Sequence, residues 1–241
     1  MRQADHAEVR EALRRQLDVL VAGLAERDPD GPTDCAGWVV ADLENHMAGN
    51  LIGLAAVAER KVDQAPDGGV AQWSTQLEQY ADLVGEQGRQ GRRRVADHVA
   101  EALQALDDFP ASTVVTQLTG RHTLTDAAIF RVVEAVVHGL DVAITPDPAA
   151  LKLVVKELAR AFADLHPGRS VEVRIPPYTA VQCLDGPRHT RGTPPNVVEA
   201  EPVAWVRLAT GRESWHDLVR TGRVTASGER SELSALMPLL R

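Results

Sequence analysis

The sequence predicts a two-domain α+β protein, with an antiparallel four-helix bundle over residues 1–145 and a small α+β unit over residues 146–241. Three observations point that way. Apolar residues in the first part recur at spacings of three and four, the period of a helix face. The run TPDPAA, with Pro146 and Pro148, punctuates the chain. After His166 the texture changes to short, partly alternating, β-rich runs separated by Pro and Gly.

Each element follows from its own pattern. Val9, Leu13, Leu17, Leu20, Val21 and Leu24 form one apolar stripe on a first helix that ends before DPDGPTD. A second helix begins after the turn TDCAGW, runs through VVADLENHMAGNLIGLAAVAERKV and ends before QAPDGGV. The third segment, about Gln72 to Leu106, has helical spacing, but glycines at 85, 88 and 91 bend or break it. The fourth helix starts near TLTDAA, capped by Thr123 or Thr125, and continues to Ile144. The prolines of TPDPAA end that helix and start another at AALKLVVKELARAFADLH. In the second part VEVRIPP, YTAVQC and RVTASG read as strands, AWVRLATG and ESWHDLVRTG as short helices, and SELSALMPLL as a third.

Composition narrows the partners. A formal net charge of -8 argues against nucleic acid, whose binders carry a basic excess. The basic run in GRQGRRRV, Arg89 to Arg94, reads as a solvated helix face, with local anion binding as the other reading. Cys35 and Cys183 are the two cysteines, too few for a disulfide framework or a cysteine zinc motif. The charged N-terminus and the lack of an apolar run near 20 residues predict no membrane insertion and a cytoplasmic protein, monomeric or weakly dimeric. No G-x-S-x-G, P-loop or dinucleotide fingerprint occurs. His98, His122, His166, His189 and His216 have no partner at ligand spacing and stay unassigned.

The chemistry concentrates in RVVEAVVHGLDVA, where Glu134 and His138 lie four apart in an otherwise largely apolar run. Residues so spaced project together from a helix, and Arg131 and Asp141 continue nearly the same stripe. Such a pair alone is as easily a solvated surface. His46, in LENHMAGNL with Asn50 one turn further on, shifts the balance, because helices two and four can be neighbours in a bundle. Alone it reads as a hydrogen-bonded core histidine. Two imidazoles and one carboxylate suit zinc with an open coordination position, and would also take nickel, cobalt or iron. Trp38 is expected to pack at the start of the second helix, and Cys35 to be structural.

TDCAGWVVADLENHMAGN and RVVEAVVHGLDVA together resemble the paired motifs T-x-C-x-G-W-x-V-x-x-L-x-x-H and R-x-x-E-x-x-x-H-x-x-D of the mycothiol-dependent maleylpyruvate isomerase family. Its members are DinB-like (YfiT-like) metal-binding bundles, and the resemblance covers about residues 5 to 145. It implies that His46, Glu134 and His138 bind a divalent metal, zinc foremost, and that mycothiol is the thiol cofactor. The stretch from Glu201 to Leu240 is similar to the sterol-carrier-like domain that follows the bundle in many members. Arg212, in LATGRES, matches an arginine of that domain that reaches the active-site region. The resemblance thus implies a catalytic and substrate-binding role for Arg212 in a site between the two domains; the plainer reading is a solvated loop arginine. An acidic substrate would be held by Arg212 and Arg131, whose planar forks bind a carboxylate bidentately. The other reading of Arg131 is an ion pair with Glu134 or Asp141.

Two function classes follow. One is a zinc-dependent thiol enzyme, a mycothiol-dependent isomerase or S-transferase. The other is a sterol-carrier-like binding protein for an apolar small molecule, with a metal site that does no chemistry.

Overall fold

The structure is a computed structural model, and it describes residues 4–186 and 196–240. His189, unassigned in the sequence, lies outside the described residues. The chain divides into two compact units, Arg2–Ala150 and Leu151–Arg241.

The first unit opens with α1 (His6–Ala25), whose N-terminus is capped by the Asp5 carboxylate on Ala7 N–H at 3.0 Å. Its stripe of Val9, Leu13, Leu17 and Leu20 is fully buried. After the T-D-C-A-G-W turn comes α2 (Val40–Ala55), where Asp42 Oδ2 accepts from Val39 N–H at 3.1 Å. The chain then bends at Ala56 into a one-turn α3 (Val57–Arg60) and a short β1 (Lys61–Val62). The second helix is therefore shorter than its sequence spacing suggests. Pairing of Lys61 and Val62 with β2 (Val114–Gln117) takes those residues into a sheet.

The third segment is broken into α4 (Val70–Ser74), a 3₁₀ turn at Glu78–Tyr80, α5 (Ala81–Arg89), a second 3₁₀ turn at Val95–His98 and α6 (Val99–Asp108). Gly91, at φ 126°, adopts a backbone closed to most side chains and ends the α5 region. The basic run is accordingly not a helix face. Arg92 and Arg94 lie beyond α5 and pair with Asp42 (3.2 Å) and Glu44 (2.8 Å) at the start of α2. β2 and β3 (Gly120–Thr123) form an antiparallel hairpin that the sequence reading missed, since four-residue strands are too short to display an alternating pattern.

α7 (Leu124–Asp141) is the central helix. It is apolar nearly all round and sixteen of its residues are buried, the signature of a helix enclosed by its neighbours. Thr123 caps it by accepting from Asp126 N–H at 3.1 Å. It ends at Asp141, earlier than Ile144, because Ala143 turns left-handed at φ 55°. Arg27 then donates to the freed Val142 and Ala143 carbonyls at 3.0 and 3.1 Å. α1 packs on α7 and α6, and α2 on α7, α6 and α5, which completes the bundle.

α8 (Pro148–Leu165), from Leu151 onward part of the second unit, carries Phe162, whose ring meets Trp205 edge-on at 5.8 Å in the core. Beyond it lies a four-stranded sheet of order β5-β4-β6-β7. Its strands are β4 (Val171–Ile175), β5 (Thr179–Cys183), β6 (Val197–Ala200) and β7 (Val224–Ser227), with β4 and β6 parallel and the other pairs antiparallel. α9 (Pro202–Ala209) and α10 (Trp215–Arg220) are the two short helices expected between strands. The third expected helix, at SELSALMPLL, does not form beyond a 3₁₀ turn at Ser234–Leu236. Pro238 lacks an N–H and disfavours a helical residue before it, and Leu239 and Leu240 instead donate to the Ala209 carbonyl. Among the described residues, no helix is long and apolar enough to cross a membrane.

Candidate metal centre

Three side chains from two bundle helices converge. His46 projects from α2, and Glu134 and His138 from successive turns of α7. His46 Nε2 lies 2.9 Å from Glu134 Oε2, and His138 Nε2 lies 3.3 Å from the same oxygen. The imidazoles meet edge to face at 5.1 Å, and each of the three residues offers a donor atom within 4.8 Å of the other two. Asn50, one turn beyond His46, donates to Glu134 Oε2 at 3.3 Å.

The surroundings fix the rings. Asp141, its side chain wholly buried, accepts from His138 Nδ1 at 2.9 Å, which leaves Nε2 facing Glu134. Asp141 Oδ2 also accepts from the Cys35 thiol at 3.1 Å. That loop is folded by Thr33, whose hydroxyl accepts from Cys35 N–H (3.1 Å) and donates to the Trp38 carbonyl (3.0 Å), with Gly37 left-handed at φ 76°. Asp34 N–H donates to the Asp141 carbonyl at 2.8 Å and ties the turn to the end of α7. Trp38 lies nearly parallel to His138 at 6.1 Å and contacts His46 at 5.3 Å, so it shields both imidazoles. A Cβ at Gly88 would sit 2.7 Å from the Trp38 ring, so one of the glycines that interrupt the third segment makes room for that indole.

Burial and pairing set the charges. Burial alone would raise the Glu134 pKa, but hydrogen bonds from His138 and His46 outweigh it and hold the carboxyl well below its usual range. Burial likewise opposes a charge on His138, yet Asp141, Cys35 and Glu134 together lift its pKa well above the ordinary histidine value. For His46 burial prevails and lowers the pKa. The site therefore pairs one carboxylate with one readily protonated and one neutral imidazole.

His46 and Glu134 also line a cavity of about 510 Å³ in the first unit. α2 opens it with two glycines on the His46 face. A Cβ at Gly49 would meet nothing within 4 Å, and one at Gly53 would meet only Arg60 Nη1 at 3.5 Å. Gly49 thus costs helix stability without a steric reason, and Gly49→Ala should stabilise the protein by about 0.5–1 kcal/mol. A thermal melt checks this, with an expected rise of about 1–4 °C.

Arg131 lines the same cavity, and its Nε is buried without a hydrogen-bond partner. Neither ion pair considered for it forms, because Asp141 is engaged by His138 and Cys35, and Glu134 by the two imidazoles. Burial lowers its pKa, Glu134 opposes that and Arg60 adds to it. Cys35, His138 and Asp141 form a second potential donor group through the other nitrogen of the shared ring. Asp141 is fully enclosed there, whereas His46 and Glu134 face the cavity, so the first group is the one open to a substrate. Arg212 lies in the second unit on the turn after α9, where it follows left-handed Gly211 (φ 71°) and donates through Nη1 to the Thr210 carbonyl at 2.9 Å.

A helical bundle with a His-Glu-His set facing a cavity is the architecture of the DinB-like metal-binding bundles that the sequence resembles. Residues 10–143 match the family model described as mycothiol maleylpyruvate isomerase N-terminal domain, and the chain belongs to that family. Residues 147–239 match a second model, described as bacterial SCP ortholog, which makes the second unit sterol-carrier-like. Among solved structures the chain is similar to mycothiol-dependent maleylpyruvate isomerase, at 16% identity and a TM-score of 0.63, covering 99% of this chain and 97% of that one. A crystal structure of a histidine-to-alanine mutant of the same enzyme gives 16% identity and a TM-score of 0.64 over the same shares. At that identity the likeness establishes the fold. A search of the curated proteins gives no match.

Proposed function

We propose that the protein is a metal-dependent thiol enzyme, an isomerase or S-transferase that uses mycothiol on an acidic small molecule. The observation that carries this reading is the convergence of His46, Glu134 and His138 beside a cavity that also holds the unpartnered Arg131. Two imidazole nitrogens and a carboxylate oxygen form a donor set suited to zinc, and these three residues would hold it. Bound there, the ion supplies the Lewis acidity that keeps a coordinated thiol as thiolate at neutral pH. Mycothiol, when bound, would supply a nucleophilic sulfur able to add reversibly to a carbon–carbon double bond, the chemistry of a cis–trans isomerisation.

The chain's own residues do the rest. Asp141 holds the Nδ1 proton of His138, so that Nε2 keeps its lone pair for the ion. Trp38 keeps water from both rings. Arg131 holds a substrate carboxylate. The family resemblance assigns Arg212 a second such contact.

Calorimetry of mycothiol with zinc-replete and chelator-treated protein tests the reading. Saturable binding that needs the metal is expected, and equal binding without metal overturns it. For Arg212, replacement by alanine should leave zinc content unchanged and lower kcat/KM by about 10–100-fold, the value of a lost charge-assisted hydrogen bond. Maleylpyruvate is the first substrate to assay. Arg212→Lys should recover only part of the loss, for want of the bidentate fork. Wild-type turnover by Arg212→Ala removes Arg212 from the site.

A further inference from the structure

The walls of the cavity differ in character. α2 and α7 contribute the polar His46, Asn50, Arg131 and Glu134, with Leu54 at the end of α2. The stretch from the 3₁₀ turn into α5 contributes Leu77, Tyr80 and Val84, at the spacing of one helical face, and the tip of the β2–β3 hairpin contributes Leu118. Leu118 is 47% exposed, unusual for a large apolar side chain in contact with a cavity. It offers apolar surface that the protein itself does not cover.

The charges are equally one-sided. In a chain of formal net charge -8, the charged residues of this cavity are Arg60, Arg93, Arg131 and Glu134. Glu134 is held by the two imidazoles and would be committed to a metal. Arg131 has its Nε buried and unpaired, and Arg60 is near enough to act on Arg131 as a like charge. Two neighbouring guanidinium groups, one with a buried, unpaired Nε and only the already engaged Glu134 as a nearby counter-charge, favour an added anion. A carboxylate is the planar, bidentate partner that a guanidinium fork accepts.

We infer that the cavity takes an organic carboxylate with an apolar body, such as an arylalkenyl acid. Its carboxylate sits on Arg131 and Arg60 and its body against Leu77, Val84 and Leu118. This rests on the proposed function for the place of the cavity beside the metal, and it adds an apolar body to the acidic group proposed there. The volume of about 510 Å³ is within the range of pockets that enclose molecules of this size.

Titration calorimetry on the full-length, zinc-replete protein tests it with trans-cinnamate, cinnamamide, maleate and inorganic phosphate as probes. Cinnamate should bind at least about tenfold more tightly than each of the others, as expected for a charge-assisted contact joined to apolar burial. Arg131→Gln should weaken cinnamate about tenfold or more, and so should Arg60→Gln, which changes an exposed residue and leaves the core intact. Maleate or phosphate binding as tightly as cinnamate overturns the inference. So does cinnamamide binding equal to cinnamate, or wild-type affinity in both arginine variants. Zinc content is measured on the same samples and the titrations are repeated after chelation. Arginine-dependent cinnamate binding by a protein that takes up no zinc overturns the metal reading and leaves this one standing. Zinc uptake with no preference for cinnamate does the reverse.

Discussion

His138→Ala should lose stoichiometric zinc on dialysis against a chelator, with affinity down by more than about 100-fold, beyond what the loss of an outer-sphere partner produces. His138 joins both halves of the site, with Nε2 3.3 Å from Glu134 and Nδ1 2.9 Å from Asp141. Its removal takes away one donor and leaves two carboxylates without the group that balances them. His216→Ala, a change at an exposed helix position, is the matched control and should keep its metal. Elemental analysis after dialysis decides between these outcomes. Retention of zinc by both His138→Ala and His46→Ala places the metal elsewhere.

The same geometry gives the pH dependence its sign. In the metal-free protein Asp141, Cys35 and Glu134 raise the His138 pKa well above its usual value and so favour a proton on the ring. Zinc must displace that proton. Apparent affinity should therefore rise with pH through the neutral range, by up to about tenfold per unit while one proton is released. Competition with a zinc indicator between about pH 6 and 8 measures it; an affinity flat over that range argues that His138 is not a ligand.

The long helices and the convergence of the candidate donor residues were legible because the helical period places them. An i, i+4 Glu-His pair on an apolar helix is visible in one line of sequence, and so are the Thr123 cap and the apolar stripe of α1. Contacts made by chain reversal were not legible. Cys35 reaches Asp141 across 106 residues because the Thr33–Gly37 turn folds back onto the end of α7, and nothing local encodes that distance. Trp38 was expected at the start of α2 and does lie just before it, but its contact with both imidazoles depends on the space left by Gly88. Gly85, Gly88 and Gly91 read only as interruptions, though the broken segment they create supplies the apolar wall of the cavity. Gly49 and Gly53 carried a signal that sequence reading could have used, since two glycines one turn apart weaken a helix and leave its wall bare on the cavity side. For Arg131 the sequence left two readings; the carboxylates that could have paired with it are hydrogen-bonded to other groups, and Glu134 acts on it only as a nearby charge.

Asp141→Asn is the second substitution expected to act strongly, although Asp141 belongs to the orienting shell of the favoured ligand set and is not one of its donors. Its carboxylate is fully buried and accepts from His138 Nδ1 at 2.9 Å and from Cys35 Sγ at 3.1 Å. Asparagine is nearly the same size and can still accept from Nδ1, so the fold should persist. What it removes is the negative charge that makes Nδ1 the protonated nitrogen and Nε2 the basic one. Zinc affinity should fall by about 10–100-fold, the usual consequence of losing a carboxylate behind a metal-binding histidine. Cys35→Ser retains a donor to Asp141 and should change affinity much less, which separates the charge on the carboxylate from the packing of the loop. The histidine ring signals should also shift in Asp141→Asn, since the tautomer is no longer held by an ionic partner. Measured by indicator competition, an Asp141→Asn protein within twofold of wild type would show that the carboxylate only fills space, and the ring must then be oriented by Trp38 and the bundle alone.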